Sequence, residues 1–341
     1  MQEEKITQNH DQSLNSQSLN GHDENFVVCI VTKIIQYINV TNIEILGKKV
    51  LILVDKFYGC HDFYEAIRKS PHEWSATYVF PSITQAYRWI HKNKKLISDI
   101  YTDSDCGAKM DILHWGLGRI PIHIYEEGVG TYLNTKAEEN KKLKGFIQIT
   151  YSKIFGNEYK YGGNRRTQEI IVYNPDYYKK NVTFERGKIV STFRLPFLTH
   201  LLNSTFLFKN LNNEIINIRD SSVFVYISSW EIRDHQSSIS YDYKILKPHP
   251  HLKKTASMND SYDYVVPGDI PAEILLITLL KNNNTITVLS HMTTATLYFR
   301  NYECITFIEE FTPQHENHVT QTFEGLIKEI AKYPPSVNFS I

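Results

Sequence analysis

Two adjacent carboxylates, Glu126 and Glu127, stand in the stretch "IYEEGVGTYL" (124–133), between an apolar run and a pair of glycines. Like charges held close raise one another's pKa, so one of such a pair can accept a proton near neutral pH. A solvated loop pair, or a cap on the next helix, explains the same residues. Gly128 and the glycine two places on allow a tight loop and a close approach of backbone to a ligand.

Other groups of residues could act on a phosphate or a nucleoside. In "LKPHPH" (246–251), Pro248 and Pro250 fix the backbone on both sides of His249 and so set where its imidazole points. A histidine held this way can hydrogen-bond or protonate a departing phosphate, with Lys247 adding charge; a rigid turn with exposed rings is the plainer account. Reading His249 and His251 as zinc ligands fails for want of partners at suitable spacing. "SHMTTATLYF" (290–299) is a hydroxyl-rich turn leading to a helix. There Ser290, Thr293, Thr294 and Thr296, with the free N–H groups of a helix start, make either a phosphate cradle or ordinary caps. "YISSWEIRD" (226–234) sets Ser228, Ser229 and Trp230 at a strand end, with Trp230 lining a pocket or simply packing. Glu273 opens a helix after a proline in "GDIPAEIL" (268–275). It could take two hydrogen bonds from a ribose diol, or merely complement the helix dipole. Asp103 and Asp105 in "TDSDC" (102–106) have the D-x-D spacing of a divalent-metal site on a nucleotide diphosphate, a rival reading. G-x-S-x-G, P-loop, G-x-G-x-x-G and H-E-x-x-H motifs are absent.

The elements that must position these groups follow from periodicity. "FVVCIV" (26–31) and "KVLILV" (49–54) are apolar, β-branched runs of the kind found in buried parallel strands. "ATYVFPS" (76–82), "ISDIYTD" (97–103) and "IPIHIYEEG" (120–128) continue the series. Helical spacing over 34–46, 61–70, 83–96 and 107–118 supplies the crossovers. This alternation predicts a doubly wound α/β unit, whose ligand groups collect at the carboxyl ends of the strands, where Glu126 and Glu127 stand. A second α/β series begins near residue 214, with strands in 221–229, 243–251, 262–268, 285–290 and 304–311 and helices in 272–282 and 294–301. The run 319–333 has the spacing of an amphipathic helix. Between the series, 156–166 reads as a flap and 193–206 as a helical crossover. The predicted organisation is a disordered tail over 1–25, poor in apolar residues, then Rossmann-like domains over 26–213 and 214–341, the last helix being free to cross back.

At 341 residues, two domains are the natural expectation. With 37 basic and 37 acidic side chains there is no net field to recruit nucleic acid, and "HKNKK" (91–95) and "KKLK" (141–144) read as solvated faces. The four cysteines form no C-x-x-C pair, which suits a reducing compartment. No apolar run reaches about 18 residues and the first residues are polar, so a cytoplasmic protein with at most peripheral membrane contact is expected.

Taken in order, "YEEG" (125–128), "KPHP" (247–250), "PAEIL" (271–275) and "TTATLYF" (293–299) resemble the motif series of bacterial sialyltransferases of GT-B fold. That group includes lipooligosaccharide, capsule and polysialic acid enzymes, and its series runs acidic-acidic-Gly, K-x-H-P, a Glu opening a helix, and a Ser/Thr pair. "SSWE" (228–231) is similar to the opening of the second domain in some members. "VTKIIQYINVTNI" (31–43) is similar to a segment after the first strand, which would put Gln36 and Asn39 on the acceptor side with Gly128 and Trp230. The resemblance covers most of residues 26–310. It implies two Rossmann-like domains facing across a cleft. Glu127 would be the general base and Glu126 the second carboxylate. His249 would serve as acid or electrostatic stabiliser at the phosphate of cytidine monophosphate. Lys247, Pro250, Ser228 and Ser229 would line the donor site, and Glu273 would hold the ribose or cytosine end. Thr294 and Thr296, with Thr293, would replace the family's two adjacent serines, and "TTAT" leaves that alignment open by one or two positions.

The implied reaction is metal-independent, inverting transfer of sialic acid from CMP-sialic acid to a terminal galactoside of a bacterial surface glycan, through an α2,3 linkage. No cofactor is implied, and the acceptor would be lipid-linked. The alternatives are a polysialyltransferase, a transferase of another CMP-activated ulosonic acid, and, from another class, a non-catalytic glycan-binding protein.

Overall fold

The computed structural model describes residues 25–69, 74–134, 142–205, 213–228, 240–249, 261–290, 293–309 and 317–332. The expected tail up to residue 24, and Ser229, Trp230 and Pro250, lie outside the described residues.

Among the described residues, two parallel sheets account for the strands. The first holds β1 (Phe26–Val31), β2 (Lys48–Val54), β3 (Ala76–Phe80), β4 (Ile97–Thr102), β5 (Ile122–Tyr125), β6 (Thr167–Ile171) and β7 (Ile189–Ser191), in the order β3-β2-β1-β4-β5-β6-β7. The second holds β8 (Ser222–Ile227), β9 (Tyr243–Lys247), β10 (Tyr264–Val265), β11 (Thr285–Ser290) and β12 (Ile305–Glu309), in the order β10-β9-β8-β11-β12. Both orders reverse beside their first strand, the doubly wound pattern of nucleotide-binding sheets. The central strands are apolar throughout because helices cover both faces: β1 is buried along its whole length.

Helices α1 (Ile34–Thr41), α2 (Cys60–Lys69), α3 (Ile83–Asn93), α4 (Ala108–Trp115), α5 (Lys142–Ile154), α6 (Pro175–Asn181) and α7 (Phe197–Ser204) accompany the first sheet. Helices α8 (Asn213–Ile216), α9 (Ala272–Lys281), α10 (Thr294–Leu297) and α11 (Asn317–Ile330) follow among the described residues. The architecture is two Rossmann-like α/β units, each built on its own parallel sheet, as expected from the alternation of elements.

Three local readings change. The helix expected over 34–46 ends at Thr41, because Asn42 leaves the helical path and exchanges hydrogen bonds of 2.8 and 3.0 Å with the backbone of Leu195. Strands β6 and β7 were not anticipated. Polar residues, Glu169 and Ser191, alternate through them and bond to each other at 2.6 Å, so neither strand shows an unbroken apolar run. The stretch 156–166 is anchored rather than a free flap: Asp105 accepts from the backbone N–H of Gly162 and Asn164 at 2.9 and 3.1 Å, and Asp111 accepts from Asn157 at 2.6 Å.

The units are joined by shared cores. One runs from β1 and α1 through Phe197, Leu198 and Leu201 of α7 to Ile274, Leu275 and Leu276 of α9. Another gathers Phe26 and Val28 of β1 with Phe323, Leu326 and Ile330 of α11, so the last helix returns to the first unit. At the junction, Tyr173 stacks on Phe193 with ring centres 4.0 Å apart, and Tyr298 lies 4.5 Å from Phe197.

Candidate active site

The carboxyl edges of the two sheets open onto a cavity of about 310 Å³. Lys33, Phe57 and Glu127 line it from the first unit; Ser228, Lys247, His249, Glu273 and the turn 293–295 line it from the second. A further cavity of about 350 Å³ shares Lys33 and Glu127 with it and is otherwise lined by the first unit alone, including Asp103 and Tyr161. Both volumes are at the low end for small-molecule sites, about 300–1,000 Å³.

The two adjacent glutamates have separated roles. Glu127 reaches both cavities. Its carboxylate accepts from Lys33 Nζ and from the Tyr161 hydroxyl, each at 2.7 Å, and its backbone N–H donates to Thr131 Oγ1 at 3.0 Å. Glu126, one residue earlier on an extended strand end, faces the opposite way and is buried. Its carboxylate accepts from the hydroxyls of Tyr132 and Tyr298 and from the backbone N–H of Tyr173. Tyr298 belongs to the second unit, so Glu126 joins the units from within and lines neither cavity. Burial pushes Glu126 up to about 7, against the three donors, which lower it.

Gly128 completes the motif by fit. A β-carbon there would stand 2.3 Å from Thr294 Oγ1, on a backbone with φ +153°. Thr294 Oγ1 in turn accepts from Val129 N–H at 3.3 Å. The glycine therefore lets the first unit touch the hydroxyl turn of the second.

From the second unit, Ser228 follows β8 and its hydroxyl accepts the backbone N–H of His249 at 3.1 Å, holding the histidine against the strand end. Lys247 is buried, and its ammonium donates to the carbonyls of Pro248 and Pro267 at 2.9 and 3.2 Å. Burial brings it down to about 8, with Glu273 and Asp269 opposing that fall. Glu273, in the first turn of α9, is also buried, which raises its pKa, while Lys247 and Lys33 counteract the rise. Thr293 caps α10 by accepting from Ala295 N–H at 3.3 Å.

Several anticipated residues lie behind the cavity wall. Thr296 is fully buried, and its hydroxyl accepts from Arg300 at 3.0 Å beside the Arg300–Glu309 ion pair. Ser290 donates to Glu309 at 3.0 Å. Gln36 and Asn39, expected on the acceptor side, point inward from α1. Gln36 Oε1 accepts from Thr32 N–H at 2.6 Å and from Lys33 N–H at 3.1 Å, and its amide donates to Asp103 at 2.8 Å. Asn39 donates to the Glu126 carbonyl at 3.0 Å and accepts from Tyr173 at 3.0 Å. Gln36 thus holds the Asp103 carboxylate from behind, and Asn39 holds the main chain of Glu126.

The D-x-D pair diverges. Asp103 lines the second cavity, while Asp105 is wrapped by Gly162, Asn164 and Thr167. Among the described residues, no group of three or more His, Cys, Asp or Glu side chains is placed to hold a metal ion.

Reasoning from sequence did not single out Lys33, Tyr161 or Tyr298. Lys33 had a readable signal, since it follows β1 directly at the edge where ligands collect. Burial alone would lower its pKa, but the facing Glu127 carboxylate outweighs this and the ammonium is held above its usual range. Asp103 is pushed up to about 6, first by burial and then by the charge of Glu127, with Lys33 opposing. Titratable groups displaced in this way concentrate at functional clefts. The cavities thus present an acid from one unit and an imidazole, an ammonium and hydroxyls from the other, an arrangement suited to taking a proton from one substrate and stabilising an anion leaving another.

No family model matches the chain, and no curated protein matches it. Among solved structures, it is similar to a Listeria monocytogenes protein assigned as a UDP-N-acetylglucosamine 2-epimerase, with 9% identity, 93% of each chain covered and a TM-score of 0.47. Among the described residues, no helix is long and apolar enough to cross a membrane.

Proposed function

We propose that the chain is an inverting glycosyltransferase that moves sialic acid from CMP-sialic acid to a galactoside of a bacterial surface glycan. The observation that carries this is the shared cavity: Glu127 from the first unit and His249, Lys247 and Glu273 from the second line one hollow of about 310 Å³.

In this reading Glu127 takes the proton of the acceptor hydroxyl. That oxygen attacks the anomeric carbon from the face opposite the phosphate, and configuration inverts. The transition state carries oxocarbenium character, as in glycoside hydrolysis, with a sugar hydroxyl in place of water. Lys33 and Tyr161, both at 2.7 Å from Glu127, hold its carboxylate in line. His249 and the Thr293–Thr294 turn stabilise the departing phosphate, each well-placed donor contributing on the order of 3 kcal/mol. The leaving group is a nucleoside monophosphate, which carries less charge than a diphosphate, so His249, the threonines and Lys247 provide its neutralisation. Glu273, in the first turn of α9, takes the ribose or cytosine end. The acceptor is lipid-linked and the enzyme acts in the cytoplasm.

Calorimetry or thermal shift with CMP, UMP, UDP and GDP tests the donor class. A ligand at 100 times its Kd stabilises the folded state by about 2.7 kcal/mol, a readable shift. CMP should shift the melting transition and the others should not. An equal response to UMP, or none to CMP, ends the proposal.

A further inference from the structure

The second cavity, of about 350 Å³, has a chemistry of its own. It sits where the strand order of the first sheet reverses, between β1 and β4. Thr32 and Lys33 follow β1 there, and Asp103 and Ser104 follow β4. Open α/β sheets bind ligands at such points.

Its charges are unevenly committed. Lys33 is paired with Glu127. Asp103 is buried and accepts from Gln36 at 2.8 Å and Thr102 at 3.3 Å. Lys56 and Lys109 also line the cavity; both are exposed, and among the described residues neither has an ion pair. The starts of α1, α3 and α4 open onto the same space through Lys33, Ile83 and Lys109, and their dipoles add positive potential. Tyr161 and Ser104 offer hydroxyls for a sugar, and Ile83 and Met110 offer apolar surface for a ring face.

We propose that this cavity is a subsite for an acceptor sugar bearing an anionic group, a carboxylate or a phosphate, with Lys56 and Lys109 holding the anion and Glu127 meeting the reacting hydroxyl. The assignment of an acceptor rests on the function proposed above; the binding of an acidic sugar does not. Because Glu127 borders both cavities, a hydroxyl reaching it from this side faces a donor on the other.

Binding is measured directly on the full chain by calorimetry, using lactose, 3′-sialyllactose and galactose 6-phosphate at low and moderate salt. At least one anionic sugar should bind roughly tenfold more tightly than lactose at low salt, since two solvent-exposed ion pairs each add little. The preference should weaken with salt. In the Lys56→Ala/Lys109→Ala double variant, the preference should vanish while the melting temperature and CMP binding stay as in the parent. The two anionic probes distinguish a carboxylate from a phosphate. Equal affinity for lactose, a preference that survives the double variant, or no sugar binding at millimolar concentration overturns the proposal. Anionic-sugar binding without CMP binding would leave this site standing and sink the donor assignment.

Discussion

Tyr298 of the second unit donates its hydroxyl to Glu126 of the first. This bond explains why two acidic residues stand side by side at the end of β5. An extended backbone turns neighbouring side chains to opposite faces. Glu126 goes inward to tie the units, and Glu127 goes outward to the cavities. One pair of letters in the sequence therefore carries a structural residue and a chemical one.

Burial pushes the Glu126 carboxyl up to about 7. An acid whose folded pKa is raised costs stability as pH climbs from its unfolded value, about 4.3, to the folded one, after which the cost is constant. Glu126→Gln lacks that cost. The difference in melting temperature, variant minus parent, should therefore grow in the variant's favour from pH 5 to pH 7 and stay level above pH 8. Thermal melts across that range check it; a difference that shrinks with rising pH refutes it.

Gly128→Ala forces a β-carbon against Thr294 Oγ1, where 2.3 Å is available. The variant should lose about 1–3 kcal/mol, the usual cost of overpacking. Thr294→Ala should recover part of that loss, because the clashing hydroxyl is gone. A double-mutant cycle by denaturant unfolding measures the coupling. Additive effects would mean the two residues do not meet.

Glu127→Gln should lower turnover on the order of 10²–10⁴-fold, the usual share of a general base, with CMP affinity little changed. Lys33→Met removes the cation at 2.7 Å from that carboxylate. The acid limb of kcat/KM should then move to higher pH, because the ionised form loses its partner. Steady-state rates from pH 5 to 9 read both effects. A non-catalytic binding protein would show no turnover for either substitution to change.

Lys247 titrates near 8 because burial disfavours its charge. A phosphate brought alongside favours the ammonium, so CMP binding at pH 8.5 should draw in a proton. Calorimetry in buffers of different ionisation enthalpy detects the uptake. It should fall away at pH 6.5, where Lys247 is already charged, and be lost at pH 8.5 in Lys247→Met. Uptake unchanged in that variant would separate Lys247 from the phosphate.

The sheets were legible because their strands are apolar on both faces, as β1 and β2 show. Strands β6 and β7 were not, since Glu169 and Ser191 break the pattern on an open face. Glu127, His249 and Glu273 were visible as residue types at strand and helix ends, and the structure brings all three to one cavity. Lys33 has a positional sign, its place just after β1, but nothing local says that it meets Glu127, 94 positions away. Tyr298 likewise carries no local sign that it meets Glu126, which is 172 positions distant. Pairings of that span depend on how the units dock, and no periodicity encodes docking.

The return of α11 to the core begun by β1 bears on how the protein is made. A nascent chain on the ribosome leaves the core that includes Phe26, Val28, Val129 and Tyr132 unfinished until Phe323 and Leu326 emerge to join it beside the 129–132 turn. Domains commonly finish in order of synthesis; here the first cannot close before the second is complete. Cutting the polypeptide between the units would yield two sticky fragments instead of two excisable modules.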